Sequence, residues 1–466
     1  MKHVHLIGIG GTGLSAIARV LLEKGYTVSG SDRAASPLFK AITAAGARTF
    51  LGHAAEQIAG ADLVIRSSAI PDDNPEVIAA REQGIQVLKR ADFLEELTKD
   101  KDTLAVAGSH GKTTTTAMLI WILDQLGTQP SFIAGGLVNQ LGCNARAGIG
   151  RYFAIEADEY DYMFLGLSPK IAIVTNIEHD HPDCFPTKGD YLDAFRSFLD
   201  RVRSDGTALL CLDDPGSRSL FEDLQTSQKQ ILSYGTSPHV DYYAHDINVI
   251  EDKTIFILTH KKNGGLTEAL GTIKLSVPGH HNVLNATAAL GALHQLGMPI
   301  NEAILALNKF QGTGRRFEIL GNIEGRVIID DYGHHPTQIA ATLEAARSRY
   351  PHHRIWAVWQ PHTYSRTQML EEAYSRALSQ ADQVIVLNIY AAREKDEGYT
   401  AEKIAQSIAN VEAHYIPDME EATHFLLAEL KHNDLVIVFS AGDATKISRD
   451  VLRELQLRFS KEQDRP

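Results

Sequence analysis

The segment from Thr103 to Thr116, TLAVAGSHGKTTTT, constrains the fold of this chain more than any other stretch. An apolar run is followed by two closely spaced glycines, a lysine and threonines, and then by a helical pattern. In this order, backbone N–H groups can approach phosphate oxygens, Lys112 can reach the terminal phosphates, and the Thr113 hydroxyl can ligate Mg²⁺. The segment therefore predicts a phosphate-binding loop between a strand and a helix, with ATP as the expected ligand.

The loop departs from the common G-x-x-x-x-G-K-[ST] pattern, because Val106 stands where that pattern has its first glycine. A tighter loop is therefore expected. Its predicted nucleotide contacts are Gly108, Ser109, His110, Gly111, Lys112, Thr113 and Thr114. A plain glycine–threonine turn is the alternative, but the helical run from Met118 to Leu126 follows in the right place and favours a phosphate site.

Composition and charge exclude several classes of protein. A chain of 466 residues has room for about three domains of roughly 150 residues each. The formal net charge of −13 argues against nonspecific nucleic-acid binding, so a phosphate site must be built locally. Cys143, Cys184 and Cys211 lack paired or metal-ligand spacing, which favours a reducing compartment. With no signal peptide and no apolar stretch near ~20 residues, we expect a cytoplasmic protein without a membrane partner.

The chain opens with a predicted strand from Val4 to Ile9, a glycine-rich turn and a helix. A second strand leads to Asp32, where a dinucleotide fold keeps a carboxylate that bonds a ribose. This pattern alone fits an NAD-dependent dehydrogenase, but any diphosphate can sit at such a turn. The unit stops near Leu97, too short for a full dinucleotide domain, so a nucleotide-diphosphate sugar fits better. The candidate turn residues are Gly10, Gly11, Thr12 and Gly13.

Two further strands end in polar clusters. The strand from Tyr152 to Ile155 precedes Glu156, and a carboxylate at that end of a parallel strand beside a phosphate loop commonly holds Mg²⁺. The strand from Ile171 to Val174 precedes a segment with His179 and His181. Zinc is conceivable for two imidazoles, but the oxygen-rich surroundings favour Mg²⁺. His179 is interpreted as a surface loop residue.

Residues 231–277 alternate polar and apolar side chains and predict a small antiparallel meander with a turn at residues 261–265. A helix then opens with His281 and Asn285, spaced i, i+4, so both could reach one planar base. Capping of the helix start is the simpler role for either residue.

The last third of the chain follows a doubly wound pattern. Its predicted strands lie at residues 327–329, 355–359, 383–387 and 435–439, and alternate with helices starting near Pro336, Gln368, Thr400 and Thr445. Ligands bind at the carboxyl ends of such strands. Acids, histidines and an arginine collect there in DDYGHHP and QPHTYSRT, and packing does not readily explain them.

The segments GIGGTG, GSHGKTTTT, EADEYD, TNIEHDH, GHHNVLNA, GRRF, DDYGHHPT and QPHTYSRT occur in this order over essentially the whole chain. In them the sequence resembles the Mur ligase family, and within it the branch that adds L-alanine. The resemblance implies an α/β fold of three domains. These are a Rossmann-like UDP-sugar half-domain over residues 1–97, a central P-loop ATPase domain with a parallel sheet and a small antiparallel meander over 98–313, and a Rossmann-like domain over 314–466 that closes over the active site.

The resemblance implies an ATP-dependent ligase of cytoplasmic peptidoglycan precursor synthesis. The γ-phosphate would pass to the lactyl carboxylate of UDP-N-acetylmuramate, and L-alanine would attack the acyl phosphate. Such chemistry needs Mg²⁺, charge neutralisation and positioning rather than covalent work by the protein. A monomer and a homodimer both remain open.

The family's functional residues carry over to matching positions of this chain. Catalytic roles are implied for Lys112, His334, Arg366 and Arg316. Magnesium ligands would be Thr113, Glu156 and His181, while His281, Asn285, Arg316 and Asp331 would contact the nucleotide. His334, His362 and Arg366 would lie near the amino acid and the reacting carboxylate. Gly10, Gly11, Thr12, Gly13, Asp32, Ser68 and Arg90 would contact the UDP-sugar.

Two departures from sister ligases bear on these expectations. Several sisters carry a carbamylated lysine on the helix after His181, but residues 191–202 contain no lysine, which fits the alanine-adding branch. Thr363 stands where some members have arginine, so the contact that this arginine would make with a substrate carboxylate is not expected from Thr363.

Three alternatives remain. A recycling ligase of the same family would add a whole tripeptide, and tends to have DDFAHHP where this chain has DDYGHHP. A dehydrogenase would leave the phosphate loop and Glu156 unexplained. A noncatalytic UDP-sugar sensor would require a broken ATP site, whereas Lys112, Thr113 and Glu156 are all present.

Overall fold

The computed structural model describes residues 2–225, 227–262, 265–392, 394–396 and 398–463, which form three sheets and two compact units. The first unit comprises described residues within Met1–Ile247, Ile255–Lys274 and Val283–Gln311. The second comprises those within Asn248–Thr254, Leu275–Asn282 and Gly312–Pro466. None of the described helices is both long and apolar enough to cross a membrane.

The first sheet has the strand order β3-β2-β1-β4-β5 and is parallel throughout. Its elements are β1 (His3–Ile7), α1 (Thr12–Glu23), β2 (Thr27–Asp32), α2 (Pro37–Ala44), β3 (Arg48–Leu51), β4 (Leu63–Arg66), α3 (Pro75–Glu82), β5 (Gln86–Lys89) and α4 (Arg90–Thr98). As predicted, α1 buries one apolar stripe that includes Leu14, Ile17 and Leu21. Gly25, at φ +83°, lets the chain turn into β2.

The second sheet also lies largely in the first unit and has the order β15-β14-β13-β12-β11-β10-β6-β9-β7-β8. Its strands and helices are β6 (Asp102–Ala107), α5 (Lys112–Gln125), β7 (Ser131–Val138), β8 (Cys143–Arg146), β9 (Tyr152–Glu156), β10 (Ile171–Val174), α6 (Lys188–Asp200), β11 (Thr207–Cys211), α7 (Pro215–Asp223), β12 (Gln230–Gly235), β13 (Tyr242–Ile250), β14 (Lys253–Lys261), β15 (Thr267–Leu275), α8 (His280–Gln295) and α9 (Ile300–Leu307). β6 and β10 are buried along their whole length, as expected of parallel strands covered on both faces.

The predicted meander is wrong in its first strand. β12 pairs in parallel with both β11 and β13, so it belongs to the parallel part of the sheet. The reason is α7, which carries the chain back between β11 and β12 and thereby makes a parallel crossover. β13, β14 and β15 then follow as sheet neighbours in chain order. Residues 263 and 264 of the predicted turn lie outside the described residues.

The third sheet, in the second unit, has the order β16-β17-β21-β18-β19-β20. It is built from β16 (Glu318–Ile323), β17 (Arg326–Asp331), α10 (Pro336–Arg349), β18 (Arg354–Trp359), α11 (Tyr364–Met369), α12 (Glu371–Leu378), β19 (Gln383–Val386), α13 (Glu402–Ser407), β20 (Glu412–Tyr415), α14 (Met419–Glu429), β21 (Asp434–Phe439) and α15 (Thr445–Gln463). Only the β16–β17 pair is antiparallel among the pairings described.

The doubly wound prediction for the third sheet is confirmed in its four central strands and incomplete at its edges. β16, β20 and α14 were not predicted from the sequence. Both strands lie at sheet edges and lack a continuous buried run, so their apolar pattern is weak. In place of one helix starting near Gln368, α11 starts at Tyr364 and α12 at Glu371.

One buried acid lies at the end of β17. The Asp330 side chain is nearly inaccessible, its Oδ1 has no hydrogen-bond partner among the described residues, and its Oδ2 lies 3.8 Å from Arg315 Nε. Burial raises the pKa of Asp330 from 3.8 to about 6. The folded chain therefore holds a proton that the unfolded chain releases near pH 4, and stability falls as the pH rises from about 4 through 6.

We expect Asp330→Asn to remove this loss of stability at high pH. At pH 8 the variant should be more stable than the wild type by up to about 3 kcal/mol, since the pKa of Asp330 rises from 3.8 to about 6 and each pKa unit corresponds to about 1.4 kcal/mol. At about pH 3, below the pKa of the unfolded chain, the two proteins should unfold alike, because Asp330 is then largely protonated in both the folded and the unfolded chain. Urea unfolding at the two pH values measures the difference, and an equal gain at both would contradict the assignment.

Candidate active site

The predicted phosphate loop connects β6 to α5, and its two glycines have backbone conformations that other residues rarely adopt. Gly108 has φ +135° and Gly111 has φ +81°. A Cβ on Gly108 would lie 2.0 Å from Thr175 Oγ1, and one on Gly111 would lie 2.8 Å from Asn285 Oδ1. Thr175 and Asn285 therefore lie against the loop, which has no space for side chains at these two positions.

The segment after β10 holds this loop through hydrogen bonds to the loop backbone. Ser109 N–H donates to Asn176 O at 3.1 Å, and His110 N–H donates to the Asn176 side-chain oxygen at 2.8 Å. The Thr175 hydroxyl and the Asn176 amide both donate to His110 O. His110 Nε2 also lies 2.9 Å from Glu178 Oε2. This segment was expected at a strand end, but Thr175 and Asn176 were not among the predicted site residues.

The Lys112 ammonium group lies at the base of the loop. It donates to Glu159 Oε2 at 2.8 Å and to Gly108 O, and the Glu159 side chain is almost fully buried. Burial by itself would lower the pKa of Lys112, but the carboxylates of Glu159, Asp158 and Glu156 outweigh it and raise the pKa. Lys112 therefore remains a cation near neutral pH, as a phosphate ligand requires. Glu159 was not among the predicted site residues.

The predicted magnesium ligands Thr113 and Glu156 are adjacent in the structure. The Thr113 hydroxyl donates to Glu156 Oε2 at 2.9 Å, and Gly135 N–H donates to the same oxygen at 2.7 Å. Burial raises the pKa of Glu156, although Lys112 acts in the opposite direction. A hydroxyl and a partly buried carboxylate are hard oxygen donors, and such a pair fits Mg²⁺.

His181, the third predicted ligand, has the left-handed φ of +56°. Its Nε2 lies 3.8 Å from Glu159 Oε1 and 3.8 Å from Asp180 Oδ2. The nearby His179 is half-buried and its Nε2 bonds Phe185 O at 2.8 Å. His179 lies in a loop, as expected, but it is half-buried and not fully at the surface, because its ring lies against that of Tyr191 on α6, with centroids 6.0 Å apart.

The glycine-rich turn of the first sheet is held by Asp32. Gly10 N–H donates to Asp32 Oδ2 at 2.9 Å. Gly11 precedes α1, which begins at Thr12. A Cβ on Gly13 would lie 1.9 Å from Arg90 Nη1, so the guanidinium covers the start of α1.

The predicted UDP-sugar residues outside the turn differ in their surroundings. Arg90 Nη2 lies 3.4 Å from Asp158 Oδ2, which links it to the loop after β9. Ser68 is exposed in the loop after β4. The roles of these residues toward a UDP-sugar stay predictions.

In the second unit, three predicted residues lie together at the carboxyl ends of β17 and β18. The His334 and His362 rings have centroids 5.7 Å apart, and Arg366 Nη1 lies 3.4 Å from His362 Nδ1. Arg366 is 6% exposed, which is unusual for an arginine. Thr363, the departure noted above, has φ +65° and donates its N–H to Tyr390 O at 2.9 Å.

The remaining predicted nucleotide contacts of this unit also have defined surroundings. The Arg316 guanidinium lies 5.0 Å from the centre of the Tyr332 ring. The buried Asp331 carboxylate accepts N–H bonds from Phe317 at 2.8 Å and Gly333 at 2.6 Å, and burial raises its pKa. Burial, with the nearby His280 and Arg316, lowers the pKa of His281 to about 4, so its imidazole is neutral at pH 7.

Comparison with known proteins gives matches along the chain. The Mur ligase family catalytic-domain model matches residues 3–102, the Mur ligase middle-domain model residues 106–293, and the Mur ligase glutamate-ligase-domain model residues 315–442. The UDP-N-acetylmuramate–L-alanine ligase of Syntrophus aciditrophicus is 40% identical over 98% of this chain and 94% of its own length. The protein of that name from Desulfosudis oleivorans is 42% identical over 97% of this chain and 98% of its own.

Solved structures give a similar result. The UDP-N-acetylmuramate-alanine ligase of Thermotoga maritima superposes with a TM-score of 0.83 at 27% identity, covering 98% of this chain and 100% of its own. A murein peptide ligase from Psychrobacter arcticus shares the fold with a TM-score of 0.71 at 24% identity, covering 98% and 99%.

The pairing of Lys112 with Glu159 generates a stability prediction. Lys112→Met should destabilise the nucleotide-free protein by about 3 kcal/mol, because a buried carboxylate loses its cation. The double variant Lys112→Met/Glu159→Gln should recover most of this loss, since no buried charge is then left unpaired. Urea unfolding of wild type, single and double variants measures both effects. Equal midpoints for the single and double variants would contradict a buried ion pair.

Proposed function

This chain belongs to the Mur ligase family, and we propose that it is an ATP-dependent ligase that joins L-alanine to the lactyl carboxylate of UDP-N-acetylmuramate. The arrangement of Lys112, Thr113 and Glu156 around the loop supports the ATP-dependent step. The choice of acceptor rests on relatives that share about 40% of their residues with this chain over nearly its whole length.

The proposed reaction proceeds in two steps. The lactyl carboxylate attacks the γ-phosphorus of ATP, the bond to the β–γ bridging oxygen breaks, and an acyl phosphate and ADP form. The neutral amine of L-alanine then adds to the acyl carbon. The tetrahedral intermediate loses inorganic phosphate and a proton to give the amide. Both steps develop charge on phosphate oxygens, so fixed cations and positioned substrates supply most of the catalysis.

We assign the phosphate and metal roles to the residues at the ends of β6, β9 and β10. Lys112 would bind the β- and γ-phosphates with the loop N–H groups. Thr113 and Glu156, with His181, would hold Mg²⁺, which neutralises the phosphates when bound. Asn285 lies against Gly111 and is suited to contact the adenosine part of the nucleotide.

The other residues keep the roles that the family resemblance implies. The turn Gly10–Gly13, with Asp32, Ser68 and Arg90, would bind the UDP-sugar. His334, His362 and Arg366 would position the amino acid and the reacting carboxylate. Arg316, Asp331 and His281 would contact the nucleotide. We further propose a cytoplasmic enzyme of peptidoglycan precursor synthesis; a monomer and a homodimer both remain open.

Phosphate release tests this function. Purified protein with Mg·ATP and UDP-N-acetylmuramate should release phosphate when L-alanine is added, and little without an acceptor. The Lys112→Ala variant should lose this activity while retaining UDP-sugar binding, because the proposed sugar site lies on another sheet. Release only with the L-Ala-D-Glu-diaminopimelate tripeptide would move the chain to the recycling branch. No release with either acceptor would overturn the ligase assignment.

A further inference from the structure

α6 places a buried tyrosine between the phosphate loop and the partner of Lys112. The Tyr191 side chain is 1% exposed. Its hydroxyl donates to Glu159 Oε1 at 3.1 Å and also lies 2.9 Å from Ser109 Oγ, whose own proton is donated to Glu178 O at 2.7 Å. The other oxygen of Glu159 accepts from Lys112. One hydroxyl therefore touches both a loop residue and the carboxylate that holds the loop lysine.

The Tyr191 ring cannot easily move. Its centroid lies 5.1 Å from each of the Phe185 and Phe195 ring centroids, and both contacts are edge-to-face. Burial raises the pKa of Tyr191 well above 10, so the hydroxyl stays protonated at neutral pH and remains a donor to Glu159. Neither the loop motif nor the strand-end pattern assigns any role to this residue.

We propose that Tyr191 is a positioning residue for the terminal phosphates of the nucleotide, because it fixes Glu159 and thereby the place of the Lys112 ammonium group. This inference rests on the proposed function only in that ATP binds at this loop. When phosphates arrive, Lys112 exchanges the Glu159 carboxylate for phosphate oxygens. Tyr191 keeps Glu159 in place during this exchange, so the carboxylate does not follow the ammonium and compete with the phosphates.

The proposal predicts an effect that depends on the phosphate chain of the ligand. ADP carries the β-phosphate that a loop lysine contacts, whereas AMP does not. Tyr191→Phe should weaken ADP binding about three- to tenfold, the scale of one hydrogen bond, and leave AMP binding unchanged. Glu159→Gln removes the competing charge and should tighten ADP binding at least about threefold, again without changing AMP binding.

Isothermal titration of the full chain with ADP and with AMP, both with Mg²⁺, measures these affinities. Tyr242→Phe is the matched control. It also removes a buried hydroxyl with two partners, His294 Nδ1 at 2.7 Å and Gln295 Nε2 at 2.6 Å, but touches neither the loop nor Glu159. It should leave both affinities unchanged. On the Glu159→Gln background, Tyr191→Phe should change ADP binding less than about twofold, because it acts through that carboxylate.

Equal weakening of ADP and AMP binding by Tyr191→Phe would overturn the proposal, since a general loosening of the structure around the loop would then explain the effect. A full effect of Tyr191→Phe on the Glu159→Gln background would also overturn it. Should Tyr191→Phe fail to fold, the Glu159→Gln titration decides alone, and unchanged ADP affinity contradicts the proposal. Wild-type protein that binds no ADP would instead refute the ATP-dependent function itself, so the two failures are distinguishable.

Discussion

An ammonium group that is largely shielded from solvent needs a counter-charge, and the site around Lys112 depends on that requirement. In the nucleotide-free chain the counter-charge is Glu159, which is itself buried and bonded. The chain as a whole carries a formal charge of −13, so its net charge does not attract an anionic nucleotide. Binding must therefore depend on the local cation Lys112, whose ion pair with Glu159 the phosphates can replace.

Sheet topology brings the parts of this site together. β10, β6 and β9 are neighbours in the second sheet and run in parallel, so the segments after all three leave the same edge. Those segments supply the loop, the brace at Thr175 and Asn176, and the carboxylates Glu156 and Glu159. α6 follows the segment after β10 and adds Tyr191. Residues more than 80 positions apart in sequence thus share one hydrogen-bond network.

Sequence reasoning was most successful where chemistry follows from local order. Gly108, Lys112 and Thr113 stand in a strand–loop–helix pattern, and Glu156 ends a strand, so their placement could be predicted without tertiary contacts. Glu159 and Tyr191 could not, since their roles depend on which side chains meet after folding. The direction of β12 depended on recognising α7 as a crossover, and the edge strands β16 and β20 carry too little apolar pattern. The boundaries near residues 97 and 313 stay predictions.

The lack of space at Gly108 restricts how this chain can diverge. A Cβ there would collide with Thr175, and the Thr175 hydroxyl holds the carbonyl of His110. A substitution at Gly108 or at Thr175 alone would therefore disturb the same contact between the loop and the segment after β10. A tolerated change must alter both segments together. During divergence, the loop and the segment after β10 should therefore change together, although Gly108 and Thr175 are 67 positions apart in sequence. Substitutions should be tolerated more readily at the exposed edge strands, such as β16 and β20, where few side chains are buried.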